Sequence, residues 1–148
     1  MEENSNQESF FFTRIEIKNL LKIPDNLAQA SLDTPYIHNR LNVILLELGK
    51  KLNRLTRKKE KVYKQKFEYY TGKAHPDVYK ENPFNLKILK TDIHIYLSSD
   101  DELSSLCEEI EDLKVDIKFI EESLKCCNQR TFQIKEAIEY NKFINGEC

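Results

Sequence analysis

The sequence predicts an all-α protein, with long helices in a hairpin-like arrangement and an extended heptad-patterned C-terminal helix that drives oligomerisation. Three glycines and four prolines in 148 residues leave few breaks, which favours long helices over turn-dense β folds. Apolar residues recur in steps of three and four over two long segments. The length corresponds to one ordinary domain with a modest core.

The first 35 residues look irregular, and we expect them to form an N-terminal arm. Ile15 and Ile17 alternate as in a short strand, and Pro24 and Pro35 interrupt any long helix. The three phenylalanines at positions 10–12 give this arm a means of packing on the rest of the chain or on a neighbour.

Residues 36–70 form the first predicted long helix, which has two stripes. The apolar stripe contains Ile37, Leu41, Leu45, Leu48, Leu52, Leu55, Val62 and Tyr69. The basic stripe, about 200° around the axis, contains Lys50, Arg54, Arg57, Lys61 and Lys64. Lys59 and Lys66 interrupt the apolar stripe, so we expect this end of the helix to leave the core. Thr71-Gly72 supplies its stop.

A loop is expected over residues 74–83, followed by a short helix over residues 84–97. The sequence SDDE then matches a capping box, with Ser99 as its first residue. The predicted regions are an N-terminal arm over 1–35, a basic helical region over 36–97 and a C-terminal oligomerisation helix over 98–148.

The C-terminal helix carries the longest periodic signal. Steps of three and four alternate without a slip over Leu103, Leu106, Ile110, Leu113, Ile117, Ile120, Leu124, Cys127, Thr131, Ile134 and Ile138. A helix of about 45 residues that stops at Asn145-Gly146 would be about 70 Å long, which a small monomer covers poorly. We expect both a hairpin partner and other copies to cover it. The predicted oligomerisation residues are Leu113, Ile117, Ile120, Leu124, Phe132, Ile134 and Ile138.

Charge is segregated along the chain, although the net charge is only −2. Residues 50–73 hold ten Lys or Arg against two Glu, whereas residues 100–122 hold ten acidic residues against two Lys. The first block attracts polyanions and the second repels them.

Several function classes lack their sequence signals. The chain has no phosphate-binding loop, dinucleotide motif, nucleophile elbow or zinc-protease motif, so we predict no enzyme activity and no cofactor. The four cysteines lack C-x-x-C spacing and the three histidines are scattered, which favours free thiols and no metal site. No apolar run is long enough for a membrane span and no secretory signal is present, so we expect a cytoplasmic protein.

The segment KQKFEYYTGK at residues 64–73 ends the basic stripe on three aromatic residues. Lysines combined with planar rings are typical of single-stranded nucleic-acid binding, in which ammonium groups neutralise phosphates and bases stack on rings. The alternative is that the rings pack in the core and the lysines keep a helix soluble; the segment alone does not decide. Tyr69 continues the apolar stripe, whereas Tyr63, Phe67 and Tyr70 share another face. The predicted nucleic-acid-binding residues are Arg54, Arg57, Lys58, Lys61, Lys64, Lys66, Phe67, Tyr70 and Lys73.

Three blocks resemble, in family order, the UvsY recombination mediators of T4-like phages. They are YKQKFEYYTGK at residues 63–73, PFNLKILKTDIHIYLSSDDEL at 83–103 and NQRTFQIKEAIEYNKFINGEC at 128–148. The third matches a signature R-x-F-x-I-K…F-x-x-G through Arg130, Phe132, Ile134, Lys135, Phe143 and Gly146. KIP at residues 22–24 matches an N-terminal element more weakly.

The resemblance implies an accessory protein of phage recombination in the cytoplasm of the infected bacterial host, without catalysis or a cofactor. Its implied partners are single-stranded DNA, a phage single-strand-binding protein whose coat it weakens, and a RecA-like phage recombinase whose filament it helps to nucleate. It also implies a hexamer or heptamer ring that needs the C-terminal helix, and DNA binding by Lys64 and Lys66. The rival interpretation is a structural coiled-coil or phage scaffold protein whose lysines serve solubility.

Overall fold

In the computed structural model, which describes residues 14–146, the chain forms five α-helices and no strand within that range. The helices are α1 (Arg14–Leu21), α2 (Leu27–Tyr70), α3 (Pro76–Glu81), α4 (Ile93–Ser98) and α5 (Asp101–Ile144). The prediction of an all-α fold with two long helices is confirmed, since α2 and α5 have 44 residues each. The phenylalanines at 10–12 and Cys148 lie outside the described residues.

Contacts divide the described chain into two compact units, and both long helices contribute to each of them. Unit 1 contains residues 14–47 and 117–146, and unit 2 contains residues 48–116. The sequence-based boundaries after residues 35 and 97 separate regions by expected role and stay a prediction. The contact boundaries differ from them because α2 and α5 are each long enough to take part in two cores.

Arg130 joins the three helical segments of unit 1. Its side chain is buried, with 3% of the residue exposed. Nη1 donates to the carbonyls of Leu21 and Lys22 at 2.7 and 2.9 Å, and Nε donates to Thr34 Oγ1 at 3.2 Å. Carbonyls at the end of a helix have no partner within that helix, so the guanidinium satisfies groups that α1 leaves open. These bonds fix α1 against both α2 and α5.

The short strand predicted around Ile15 and Ile17 is wrong, because both residues lie in α1. Ile17 is 1% exposed and Ile15 is 69% exposed. Positions two apart on a helix differ by about 200°, which accounts for the opposite environments. The spacing of Ile17, Leu20 and Leu21 is the helical signal that an alternation of two residues conceals.

Pro35 lies inside α2, so the expectation that it interrupts a long helix is wrong, and α2 begins well before residue 36. Proline removes one helical hydrogen bond and costs about 3 kcal/mol in a helix interior. The same segment buries Ala30, Ile37 and Leu41 almost completely, and the Thr34 hydroxyl donates to the Ala30 carbonyl at 2.9 Å. Tertiary packing therefore outweighs the local penalty.

Unit 2 has its own core, in which α2 packs antiparallel to α5. The core consists of Val62, Ile93, Leu97, Leu103 and Leu106, with Leu55, Tyr70 and Ile88 packed against it. Lys51 pairs with Glu109 at 3.6 Å and Lys66 with Asp100 at 3.0 Å. The later residue of α2 therefore contacts the earlier residue of α5, as expected for antiparallel helices. Because Tyr70 still contacts this core, the expectation that the end of α2 leaves the core is wrong.

The buried face of α5 follows the predicted heptads as far as Ile120 and then shifts. The residues buried beyond that point are Ser123, Cys127, Arg130 and Ile134. Thr131 is exposed and Leu124 half-buried, so beyond Ile120 the face that is buried within the chain does not coincide with the predicted repeat. Cys127 and Ile134 are members of the predicted repeat, whereas Ser123 and Arg130 are buried in place of Leu124 and Thr131, each one position earlier on the helix. The buried face therefore turns only partly beyond Ile120. Both shifted positions lie in the part of α5 that belongs to unit 1.

Three local expectations between the long helices are also wrong. α3 lies within the predicted loop, and Pro76 at its first position suits a helix start. No helix forms over residues 84–92, since α4 begins only at Ile93. Asp100 rather than Ser99 caps α5, because Asp100 Oδ1 accepts a hydrogen bond from the Leu103 amide at 3.2 Å.

Replacing Arg130 by methionine tests the arginine's role in unit 1. We expect the free energy of unfolding to fall by about 2–4 kcal/mol, because two carbonyls and one hydroxyl lose their donor while apolar volume is largely kept. Equilibrium urea denaturation measures the loss. Arg57→Met, at an exposed position of α2, is the control and should change the value by less than about 0.5 kcal/mol. Equal losses in the two variants would contradict this assignment.

Candidate nucleic-acid interface

A basic ridge runs along α2 in unit 2, turned away from the core. We define the basic ridge as Arg54, Arg57, Lys58, Lys61 and Lys64, all of which are exposed. Arg57 and Lys64 each follow a core-facing residue, Leu55 or Val62, by two positions, which is about 200° around the helix. Lys64 Nζ lies 3.7 Å from Glu68, and such an exposed pair on one helix contributes little in water. The ridge is therefore accessible to a polyanion.

Two aromatic side chains, Tyr63 and Phe67, flank the basic ridge. They are 49% and 38% exposed and lie four residues apart, so they are neighbours on the helix surface. Phe67 also follows Lys64 by three residues, a spacing that brings side chains together. Ammonium groups and partly exposed rings thus lie side by side, as in sites that bind single-stranded nucleic acid.

The other two rings of the segment, Tyr69 and Tyr70, pack inside unit 2. Tyr69 stacks on Tyr79 with centroids 5.5 Å apart and planes 14° apart, and the Tyr79 hydroxyl donates to the Tyr69 carbonyl at 2.8 Å. Tyr70 lies 5.4 Å from Phe84 and 5.7 Å from Tyr96, centroid to centroid. Tyr69 therefore packs as its place in the apolar stripe suggests, and Tyr70, a predicted DNA-binding residue, packs beside it.

Asp100 ties the end of α2 to the start of α5 within unit 2. Its side chain is 6% exposed. Oδ2 accepts a hydrogen bond from the Tyr70 hydroxyl at 2.9 Å and lies 3.0 Å from Lys66 Nζ, while Oδ1 accepts from the Leu103 amide. Lys66 Nζ also lies 3.3 Å from Glu102 Oε2. A predicted DNA-binding lysine is thus held by two carboxylates of its own chain.

These contacts shift three pKa values. Burial opposes the charge on Asp100, but hydrogen bonds from Lys66, Tyr70 and the Leu103 amide outweigh it and lower the pKa of the carboxyl. Burial likewise opposes the charge on Lys66, yet its bonds to Asp100 and Glu102 raise the pKa of the ammonium. Burial and the hydrogen bond to Asp100 raise the pKa of Tyr70 to about 12. At neutral pH the cluster therefore holds a charged pair and a neutral phenol.

The turn after Tyr70 ends α2 at the predicted place. Gly72 has a φ of 75°, in the left-handed region that favours glycine. The Lys73 amide donates to the Glu68 carbonyl at 2.8 Å and the Gly72 amide to the Tyr69 carbonyl at 3.2 Å, which is a Schellman motif. Lys73, another predicted DNA-binding residue, is exposed directly after this turn.

A family model covers residues 15–147 of the chain and is described as "Recombination, repair and ssDNA binding protein UvsY". The chain belongs to the UvsY family. The predicted family and the predicted function, recombination with binding of single-stranded DNA, are confirmed at this level. No curated protein sequence matches the chain.

Three crystal structures of the bacteriophage T4 recombination mediator protein UvsY share the fold of this UvsY-family chain. The lattice type II structure has a TM-score of 0.78 at 18% identity and covers 89% of this chain and 94% of its own. Lattice type I gives 0.78 at 17% over 88% and 96%, and lattice type IV gives 0.75 at 16% over 88% and 94%. At such identities the likeness establishes the fold and no individual residue's role.

Sequence reasoning misses the residues that hold this interface of the UvsY-family chain in place. Asp100 looks like one acid among many, and Tyr79 falls in a predicted loop. Asp100 and Tyr70 are 30 residues apart, and such a pairing leaves no periodic trace in the sequence. The available signal was the run of aromatic residues Tyr79, Phe84 and Tyr96 after the basic stripe, which indicates a partner for Tyr69 and Tyr70.

The predicted oligomerisation residues have three kinds of environment. Leu113, Ile120 and Ile134 are buried in their own chain, while Phe132 is 64% exposed. The half-buried ones are Ile117, Leu124 and Ile138. A second apolar surface lies in unit 1 and differs from the core-facing stripe predicted from Ile37 to Tyr69. This exposed surface, which we call the α2 apolar stripe, consists of Leu32, Tyr36, Val43 and Leu46, 42% to 74% exposed. These positions follow heptad steps and share one side of α2.

Three further properties of residues 14–146 concern metals, membranes and thiols. In this range no three His, Cys, Asp or Glu side chains are grouped to hold a metal ion. None of the described helices combines the length and apolar character needed to span a membrane. Cys107, Cys126 and Cys127 are free thiols, and burial raises the pKa of Cys127, whose Sγ lies 3.8 Å from the Thr34 carbonyl.

Tyr70→Phe removes one hydrogen bond to the buried Asp100 carboxylate. We expect the free energy of unfolding near pH 8 to fall by about 1.5–3 kcal/mol, as for a bond to a charged group. Because the pKa of Tyr70 is raised from 10.0 to about 12 in the folded chain, its contribution is complete below pH 10 and is lost as the pH rises towards 12.

Urea denaturation of wild type and variant at several pH values measures this dependence. The difference between the two should shrink above pH 10. Tyr140→Phe, at a position 64% exposed, is the control and should change stability little at any pH. A difference for Tyr70→Phe that is constant with pH would show that its hydroxyl makes no such bond.

Proposed function

We propose that this chain binds single-stranded DNA along the basic ridge and acts as a recombination mediator. It weakens the coat of the phage single-strand-binding protein on the strand and helps a RecA-like phage recombinase to nucleate its filament. The observation that carries the proposal is the exposed basic ridge of α2 with Tyr63 and Phe67 at its flank. The chain contributes no catalysis and no cofactor, and it works in the cytoplasm of the infected bacterial host.

Phosphates and bases use different side chains of this interface. The cations of the basic ridge and Lys73 neutralise phosphates, about four to six for each protomer, and each neutralised phosphate adds about −0.7 to the salt slope of binding to a single strand. Tyr63 and Phe67 each offer a ring face for a base, and stacking of this kind contributes about 1–3 kcal/mol per base. A single protomer therefore binds weakly and in a strongly salt-dependent way.

Self-assembly makes this weak binding firm. We infer a hexamer- or heptamer-type ring in which Phe132 and the α2 apolar stripe contact neighbouring copies. Exposed leucine, valine and tyrosine side chains at heptad spacing support this, since a helix side of that kind is normally covered by a partner helix. Linked sites raise the effective concentration of the second contact, so that avidity exceeds single-site affinity by about 10²–10⁴-fold.

Many weak contacts suit the transfer of a strand from one protein to another. A mediator that bound through one strong site would compete with the recombinase for the same DNA. Contacts of the basic ridge are exposed and screened by salt, so each can be released separately. The strand can then pass to the growing filament by stepwise exchange.

The alternative function is a structural coiled-coil or scaffold protein of a phage, without DNA binding. The heptad spacing of α5 and the α2 apolar stripe fit that role, but it gives Tyr63 and Phe67 beside the basic ridge no purpose. Fluorescence anisotropy with a labelled oligonucleotide at two salt concentrations separates the two. A mediator binds at low salt and weakens steeply at high salt, whereas a scaffold does not bind.

The triple variant Arg57→Gln, Lys61→Gln, Lys64→Gln tests the basic ridge. We expect the slope of log affinity against log salt to become less negative by about 2, which is three phosphates at about 0.7 each. Affinity at low salt should fall more than tenfold. Anisotropy titrations at four or more salt concentrations give both values.

The matched control changes the same net charge on α5, in Lys114→Gln, Lys118→Gln, Lys125→Gln, all at exposed positions. It should leave the slope within about 0.3 of the wild-type value. If both triple variants change the slope equally, DNA binding is a matter of net charge and the proposed interface is wrong.

Leu32→Ser with Leu46→Ser tests the α2 apolar stripe. We expect light scattering after size exclusion to give a smaller particle, because a ring contact loses two leucines, and the DNA affinity to fall by about tenfold or more as avidity is lost. Leu86→Ser with Leu89→Ser, also at exposed leucines but in unit 2, should change neither value. An unchanged mass for the first pair would exclude this stripe from assembly.

A further inference from the structure

Lys64 and Lys66 carry the same charge in different surroundings. The side chain of Lys64 is 77% exposed, and its Nζ lies 3.7 Å from Glu68. The side chain of Lys66 is 28% exposed, and its Nζ lies 3.0 Å from Asp100 and 3.3 Å from Glu102. Two positions along a helix correspond to about 200°, so Lys64 shares the surface of the basic ridge and Lys66 faces the core of unit 2.

Asp100 needs the cation that Lys66 provides. Its carboxylate is 6% exposed, and a buried charge that loses its counter-ion is strongly destabilising. A phosphate that took Lys66 would have to separate it from this carboxylate and from Glu102. A phosphate at Lys64 displaces only Glu68, in an exposed pair that contributes little. To bind Lys66, DNA would therefore have to break two ion pairs, one of them with a buried carboxylate, whereas to bind Lys64 it would break only one exposed ion pair.

The internal pair also fixes the last turns of α2. Lys66 and Tyr70 are one helical turn apart, and both reach Asp100 Oδ2, at 3.0 and 2.9 Å. Asp100 in turn caps α5 through the Leu103 amide. Phe67 lies between the two on the sequence and emerges on the solvent side, 38% exposed. The contacts on the inner side thus fix the position of Phe67 on the outer side.

We propose that Lys66 is a positioning residue and that Lys64 alone of the two neutralises a phosphate. Lys66 acts through Asp100 and Tyr70, which hold the end of α2 on α5 so that Phe67 is presented to the strand beside Lys64. This inference rests on the proposed function and divides the roles within its interface.

Single substitutions of equal charge separate the two roles. Lys64→Gln, Lys66→Gln, Lys66→Arg and Asp100→Asn are compared by anisotropy with an unstructured oligonucleotide over a range of salt, and by thermal unfolding. Circular dichroism confirms that each variant is folded at the temperature of the titration.

Lys64→Gln should make the salt slope less negative by about 0.7 and leave the melting temperature unchanged. Lys66→Gln should lower the melting temperature and weaken binding, because Phe67 is displaced and stacking is lost. The long, exposed side chain of Lys64 still reaches a phosphate, so the slope should stay within about 0.2 of wild type. Lys66→Arg, which keeps the ion pairs, should restore both affinity and melting temperature. Asp100→Asn should weaken binding, because the positioning contact is lost although Lys66 is released.

Two results would overturn the proposal. One is a slope change for Lys66→Gln as large as that for Lys64→Gln, which would make Lys66 a phosphate ligand. The other is tighter binding with a steeper slope in Asp100→Asn, since a released ligand lysine would add a contact. Either result leaves the proposed function standing. The proposed function itself fails if the basic-ridge triple variant binds with the wild-type slope. That outcome would refute both proposals.

Should Lys66→Gln not fold, Lys66→Arg and Asp100→Asn still decide the matter. Arginine at this position keeps the charge, so a folded Lys66→Arg variant with wild-type affinity together with a weakened Asp100→Asn variant supports positioning. Asp100→Asn retains an acceptor for the Leu103 amide and so preserves the cap of α5.

Discussion

The burial of one face of α2 against α5 in unit 2 is the constraint on which the candidate interface depends. Val62 and Leu55 pack on this face against the core. Helix geometry then directs the side chains two positions later, Arg57 and Lys64, away from the core. Arginine and lysine at those later positions have long, strongly hydrated side chains that stay in water at no cost. The fold therefore provides an exposed charged surface rather than a pocket. The charged side of α2 stays exposed because the opposite side is the one that packs in the core.

Among residues 14–146, each unit also contains a buried charged side chain that connects elements far apart in the sequence. In unit 1, Arg130 of α5 holds the carbonyls of Leu21 and Lys22, more than 100 residues earlier. This contact brings Lys22, the first residue of KIP at residues 22–24, next to the block that starts near residue 128. In unit 2, Asp100 holds Tyr70 and Lys66 in the same way. Directional hydrogen bonds fix such junctions more specifically than apolar contact does.

Folding changes the meaning of the two charge blocks. Along the sequence they are separate, but in unit 2 part of the acidic block lies beside the basic one, where Asp100 and Glu102 pair with Lys66 and Glu109 with Lys51. The cations of the inner side are thereby neutralised within the chain. Those of the basic ridge remain for an outside polyanion, so the positive surface is narrower than the sequence count of lysines and arginines indicates.

By itself the sequence determined the helical class, the two long helices, the Gly72 and Gly146 stops and the family, because periodicity, glycine conformations and local motifs act over a few residues. Tertiary structure alone decided that Pro35 stays inside a helix, that the buried face of α5 turns after Ile120, and that Tyr70 and Lys66 face inward. Each of these depends on partners 30 or more residues away, whose contact energies outweigh local preference. The spacing of lysines along a helix shows where the positive charges lie. Only the position of the buried Asp100 carboxylate shows that Lys66 is already paired within the chain.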